Sequence, residues 1–201
     1  CIKGKTFIAG RIEEELYQKF SETKVIDLLK REELTVLNTI STAEGAIQIA
    51  MEESTKTLHG SKILVMGFGR VSKILSNMLK GIGAEVYCET RTTVNCAWIK
   101  AYGYKPILLD ELDNELGEFD IIINTIPHII LNEEKLKLLK RDCIIIDIAS
   151  NPGGVDRKAA KEIGIKLIWA LSLPGRVAPI TSAEFIKETL ENILKDIKNN
   201  S

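Results

Sequence analysis

The segment Gly67-Phe68-Gly69-Arg70-Val71-Ser72 offers bare backbone to a phosphate group. It follows an apolar run over 62–66 and precedes a helical pattern, which is the setting a dinucleotide fingerprint requires. Gly67 would make the tight turn, Gly69 would let a pyrophosphate approach, and the following helix N-terminus would supply donors. Phe68, Arg70 and Val71 complete this candidate loop, with Arg70 as an extra phosphate partner. Ser72 stands where the fingerprint has its third glycine; it is small, and it weakens the match. Glu89 lies about 20 residues further on, where an acid accepts from a ribose 2′-hydroxyl and favours NAD. Arg91-Thr92-Thr93 follows at once and suits a 2′-phosphate, which favours NADP. The two signals conflict.

Other candidates fall at later strand ends. Thr125-Ile126-Pro127 closes one strand, and Ala149 lies just past the end of the next, in Asp147-Ile148-Ala149-Ser150-Asn151-Pro152-Gly153-Gly154. These loops would wall the nicotinamide, or they are ordinary turn chemistry. Pro174-Gly175-Arg176 places an arginine among apolar residues, suited to gripping a substrate carboxylate bidentately. Ser41-Thr42-Ala43-Glu44 reads as a helix start. Thr42 and Glu44 there are either capping residues or the rim of an anion site that binds substrate. His128 follows the Thr125 turn and suits packing as well as proton transfer, and no general base can be named. With two histidines and no Cys-x-x-Cys pair, no metal site is expected.

The elements that position these residues follow from periodicity. Apolar runs at 62–66, 85–89, 106–109, 120–124, 143–147 and 166–169 are continuous rather than alternating, as in a parallel sheet buried on both faces. Val71, Ile74, Leu75, Met78, Leu79 and Ile82 stripe the helix after the glycine turn. The fold class expected is α/β, a doubly wound parallel Rossmann sheet with the remnant of a second, N-terminal α/β domain. That remnant covers 1–40, with strands at 6–10, 24–28 and 34–37. An inter-domain helix covers 41–58, the nucleotide-binding domain 59–180 and a C-terminal helix 181–201.

Composition excludes several classes. Lys and Arg number 27 against 28 Asp and Glu, so the net charge of −1 leaves no basic footprint for nucleic acid or a polybasic membrane anchor. No apolar run approaches the roughly 20 residues of a membrane span. The four cysteines are expected to be reduced, in a cytoplasmic protein. The sequence begins Cys1-Ile2-Lys3 without methionine and is expected to be a fragment of a longer chain.

Taken together, Ser41-Thr42-Ala43-Glu44-Gly45, His59-Gly60-Ser61, the Gly67 turn, Asn124-Thr125-Ile126-Pro127, the 148–156 loop and Leu173-Pro174-Gly175-Arg176-Val177-Ala178-Pro179 resemble the family of the dipicolinate synthase A subunit. The resemblance implies a two-domain dehydrogenase that uses NADP (alternatively NAD). Its substrate would be a small cyclic dicarboxylate, oxidised to pyridine-2,6-dicarboxylate in sporulating bacteria. Its implied partner is the flavoprotein-like B subunit of dipicolinate synthase. The resemblance further implies a homo-oligomer and a chain that starts well upstream of this one, so the fragment itself is expected to be inactive. The family tends to have a small residue at Glu89 and no fixed histidine at His128, which weakens both. The alternatives are a D-2-hydroxyacid dehydrogenase or adenosylhomocysteinase-like enzyme, and a nucleotide-binding subunit that is not catalytic alone. Against a D-2-hydroxyacid dehydrogenase, the loop after the fifth strand, Ser150-Asn151-Pro152-Gly153-Gly154, holds no arginine and no late histidine follows.

Overall fold

The structure is a computed structural model that describes residues 5–20 and 23–199. Cys1 lies outside the described residues. The chain opens with β1 (Thr6–Ala9), α1 (Glu14–Lys19) and β2 (Lys24–Asp27), and the two strands pair in parallel. Asp27 ties this unit together: its carboxylate accepts the amides of Arg11 (3.0 Å), Ile12 (2.9 Å) and Leu29 (2.9 Å). Burial pushes this carboxyl up, but the three amides outweigh it and hold it below its ordinary value.

The long helix α2 runs Glu32–Glu53, and two sequence expectations fall with it. The run 34–37 is not a strand, and Ser41 is not a cap. Glu32 and Glu33 fill the first turn, where carboxylates complement the helix dipole, so the helix starts nine residues before Ser41. Leu34, Ala43, Ala46 and Ala50 are buried along it while Val36 and Glu44 face outward, which is helical rather than alternating burial. Ser41 Oγ is buried with no partner, and Thr42 Oγ1 donates to the Asn38 carbonyl one turn back (2.8 Å). The helix N-terminus expected at Thr42 therefore does not exist.

The remainder alternates strictly. β3 (Lys62–Met66), α3 (Arg70–Ile82), β4 (Glu85–Thr90), α4 (Thr93–Ala101) and β5 (Lys105–Leu108) make one half. The short α5 (Leu112–Glu115), then β6 (Ile121–Asn124), α6 (Glu133–Leu136), β7 (Ile144–Asp147), α7 (Arg157–Ile163) and β8 (Lys166–Trp169) make the other. The sheet order is β5-β4-β3-β6-β7-β8, with every neighbouring pair parallel. This is the doubly wound Rossmann sheet, and the order reverses between β3 and β6, where ligands of such sheets bind.

Successive residues of each strand feed opposite cores. Ile63, Val65, Ile121 and Ile123 join α2 and α3 on one face. Leu64, Met66, Ile122 and Ile145 meet Leu112, Phe119 and Ala159 on the other. Cys88 and Cys143 are free and buried in these cores, where burial pushes both thiols up to about 12. Two last helices, α8 (Leu173–Val177) and α9 (Pro179–Asn199), return over α2. Among the described residues no helix is long and apolar enough to cross a membrane.

Candidate functional site

The carboxyl ends of β3, β4 and β6 converge on the glycine turn. Gly67 has φ +89°, the left-handed region that a Cβ disfavours. A Cβ there would also stand 3.0 Å from both Thr125 Oγ1 and Ile126 Cγ1, so the turn is cradled by the β6 loop. Gly69 precedes α3 in an extended conformation and supplies no capping side chain, which leaves the first-turn amides of α3 open to a ligand. Ser72 now has a reason. Thr125 Oγ1 donates to the Met66 carbonyl (2.8 Å), so the 2.9 Å contact between the two hydroxyls has Ser72 as donor and locks α3 to the β6 turn.

Cavities lie on both sides of this turn. One, of 440 Å³, is lined by Gly67, Phe68, Glu89, Thr90, Arg91, Thr92, Asn95, Ile126 and His128. Within it Thr92 caps α4, accepting the Asn95 amide (3.2 Å), while Asn95 Nδ2 donates to Thr90 Oγ1 (3.1 Å). Glu89 is 0% exposed; its Oε2 accepts the Gly67 amide (3.0 Å) and its Oε1 has no partner. Burial drives the Glu89 carboxyl above the usual range, against the lowering effects of the Gly67 amide and Arg91.

The other cavity, of 430 Å³, lies between the turn and α2, lined by Leu29, Thr35, Asn38, Thr39, Thr42, Gly69, Arg70, Val71 and Thr125. Its threonines on α2 donate to their own helix: Thr35 to the Arg31 carbonyl, Thr39 to Val36 and Thr42 to Asn38. Their oxygens remain acceptors toward the cavity. Arg70 is ion-paired with Glu32 at the rim.

Gly67, Phe68, Glu89, Arg91, Thr92 and Ile126 thus meet in the first cavity, and Gly69, Arg70, Val71, Thr125 and Thr42 in the second. Other expected residues do not join them. Thr93 and Pro127 are exposed and line neither cavity. Ala149 is turned to structural use: its amide donates to Asp147 Oδ1 (3.1 Å) and its carbonyl accepts from Trp169 Nε1 (3.1 Å). Glu44 faces solvent on α2; Pro174, Gly175 and Arg176 sit on α8, the last two exposed. His128, weighed from the sequence for packing or proton transfer, lines the first cavity; Asn95 and Asn38 were missed, because the fold alone brings them in.

The 148–156 loop is held by a buried polar pair. Asn124 Nδ2 donates to Asp147 Oδ1 (2.8 Å) and to the Ile126 carbonyl (3.0 Å), while Asn124 Oδ1 accepts the Ile126 amide (3.1 Å). Asp147 Oδ2 accepts the Gly154 amide (2.8 Å). A Cβ at Gly154 would fall 2.2 Å from Asn124 Nδ2, so only glycine lets the loop close on this pair.

Comparison with known proteins agrees with this geometry. Residues 31–162 match the model for the D-isomer specific 2-hydroxyacid dehydrogenase NAD binding domain. The chain belongs to that family. It is also similar to the A subunit of dipicolinate synthase from Bacillus subtilis (strain 168), at 36% identity over 178 residues, covering 89% of this chain and 60% of that protein. The crystal structure of the dipicolinate synthase A chain from Bacillus subtilis superposes with a TM-score of 0.92 at 33% identity, over 98% of this chain and 66% of that one. The shikimate dehydrogenase (NADP(+)) of Pyrococcus abyssi is 30% identical over 172 residues, 76% of this chain and 64% of that protein. The chain therefore spans about three fifths to two thirds of the relatives it matches. As a family member it carries a nicotinamide-dinucleotide binding domain of the oxidoreductase type.

Proposed function

We propose that the chain is the dinucleotide-binding part of an NADP-dependent dehydrogenase of the kind found in the dipicolinate synthase A subunit, which forms pyridine-2,6-dicarboxylate from a dihydrodipicolinate-type precursor in sporulating cells. The observation that carries this reading is the glycine turn flanked by two cavities, with Arg91 in one and open helix amides beside the other. Adenosine and its 2′-phosphate occupy the first, against Arg91, Thr92, Asn95 and His128. The pyrophosphate lies on Gly69, Arg70 and Val71, and the nicotinamide end turns past Thr125 toward α2. The bare cradle at Gly67 and the unpartnered Glu89 oxygen fit such a ligand. The bound dinucleotide supplies a hydride acceptor, and the chain's own residues orient it and the substrate. The name of the Pyrococcus relative supports NADP.

The dicarboxylate is placed against Thr42 and the other α2 side chains of the second cavity. Arg176, which makes no ion pair among the described residues, is kept as the grip for one carboxylate. The second cavity is lined by no Asp, Glu, His or Lys, so none of its side chains can serve as a general base. The proposed partner is a B subunit of dipicolinate synthase, and the proposed setting a homo-oligomeric assembly in the cytoplasm.

Calorimetric titration of the wild type and Arg91→Ala with NADP and NAD tests the cofactor assignment. NADP is expected to bind the wild type more tightly than NAD. Arg91→Ala should weaken NADP about tenfold, or about 1.4 kcal/mol, since the exposed guanidinium makes a charge-assisted but solvent-screened contact. NAD affinity should stay within about twofold, because it lacks the group Arg91 meets. Unchanged NADP affinity in the variant would remove Arg91 from the site.

A further inference from the structure

The helix α4 buries one side chain, Ile99. Its large apolar residues are turned the other way: Val94 is 67% exposed, Trp98 54% and Tyr102, at the helix end, 47%. They recur at i, i+4 and i+8 and so form one stripe along the helix. Ala97 and Ala101, both exposed, lie beside the stripe and leave room for another helix to approach. The rings support one another. Trp98 and Tyr102 stack with centroids 6.0 Å apart, and Tyr102 meets Tyr104 at 6.0 Å and Phe68 at 6.1 Å. Tryptophan and tyrosine concentrate at protein interfaces, where they bury much area for little lost rotamer freedom. Exposed apolar side chains scattered singly are ordinary, whereas a contiguous stripe marks a contact surface.

The charge around the stripe has one sign. Neither α3 nor α4 contains an acidic residue. Lys80 donates to the Tyr102 carbonyl (2.9 Å) and lies 5.6 Å from the Tyr104 ring, and Lys73 lies 5.4 Å from the Phe68 ring. Lys100 flanks the stripe on its other side by helical spacing. From Arg70 to Tyr104 the only acids are Glu89, which is buried, and Glu85, which is ion-paired with Lys105. In a chain of net charge −1 this basic, aromatic face is a local concentration.

We propose that the α3–α4 face is a docking surface for an acidic amphipathic helix of a second protein. The apolar side of that helix packs on Val94, Trp98 and Tyr102, and its carboxylates meet Lys73, Lys80 and Lys100. Charge complementarity decides among the occupants. A second copy of this chain, related by a twofold axis, would set these lysines against themselves. An anionic membrane or a nucleic-acid strand satisfies the lysines but has no ridge of side chains to fill the gaps beside Ala97 and Ala101. The three stripe residues and the three lysines line neither cavity beside the glycine turn, so the proposal is independent of the dinucleotide reading.

The test uses a synthetic helix of about 20 residues, long enough to fold alone, with leucine on one face and alanine and glutamate elsewhere. A control peptide carries lysine in place of each glutamate. Calorimetry should show the acidic peptide binding the wild type and the lysine peptide not binding. Amide chemical shifts should move over Val94–Tyr102 and at Lys73 and Lys80. Trp98→Ala should weaken the acidic peptide about tenfold or more, and so should Lys73→Glu combined with Lys80→Glu. These residues are exposed, so both variants should melt near the wild-type temperature. Equal binding of the two peptides, binding of neither, or an affinity unchanged in either variant overturns the proposal. So does a dimer in sedimentation that Trp98→Ala abolishes, which would make the occupant a second copy. Displacement of the acidic peptide from this face by phosphatidylserine vesicles or by oligothymidylate overturns it in favour of a membrane or a nucleic acid.

Discussion

Gly67→Val is expected to raise the dissociation constant of both NADP and NAD by about a hundredfold, or about 2.7 kcal/mol. The cause is local. At φ +89° a Cβ-bearing residue pays roughly 1–2 kcal/mol, more when β-branched. The new Cβ would press at 3.0 Å on Thr125 Oγ1 and Ile126 Cγ1. Thr125 cannot yield cheaply, because its hydroxyl bridges the Met66 carbonyl and Ser72. The turn must move instead, and with it the Gly67 amide on Glu89 and the approach to the first turn of α3. Thermal melting should show a loss of only a few degrees, since a chain of this size shifts about 2–4 °C per kcal/mol. Wild-type affinity in this variant would show that ligand does not approach the turn.

Asp147→Ala should be the larger loss of stability, about 3–5 kcal/mol by urea denaturation. It strips the acceptor from the Ala149 amide, the Gly154 amide and Asn124 Nδ2 in a site only 2% exposed. Each buried donor left without an acceptor costs about 1–3 kcal/mol, and Asn124 Nδ2 keeps one partner in the Ile126 carbonyl. Against a typical total of about 5–15 kcal/mol, that is a large fraction of the stability. Asp147→Asn retains one acceptor oxygen and should cost about half as much. A loss under about 1 kcal/mol in Asp147→Ala would contradict the description of the pair as what closes the 148–156 loop.

What the sequence disclosed was what neighbouring residues decide. The isoleucine-rich runs at 121–124 and 144–147, the glycine turn and the stripe from Val71 to Ile82 each carry their structure in a short window. Ser41-Thr42-Ala43-Glu44 misled for the same reason. It has the local form of a cap, yet packing of Leu34, Ala43 and Ala46 against the rest of the chain extends the helix back to Glu32. Leu34-Thr35-Val36-Leu37 is equally strand-like alone. The strand-end motifs that meet at the glycine turn were legible across elements, but individual side-chain contacts between elements were not. Asn38 meets Thr125, and Asn124 meets Gly154, only because α2 and the sheet are already in place. Glu89 and Arg91 contradicted each other as motif residues, and only the burial of Glu89 separates their roles.

The most direct test of the whole account is an amide chemical-shift map of the labelled chain titrated with NADP. The shifts are expected to concentrate at Gly67–Val71, at Thr90–Asn95 and at Ile126 with His128, with a second group on α2 at Asn38 and Thr42. A map centred instead on the opposite edge of the sheet, where Lys56, Asp142 and Lys166 line another cavity, would contradict it. So would saturable binding that leaves the Gly67 and Gly69 amides unmoved.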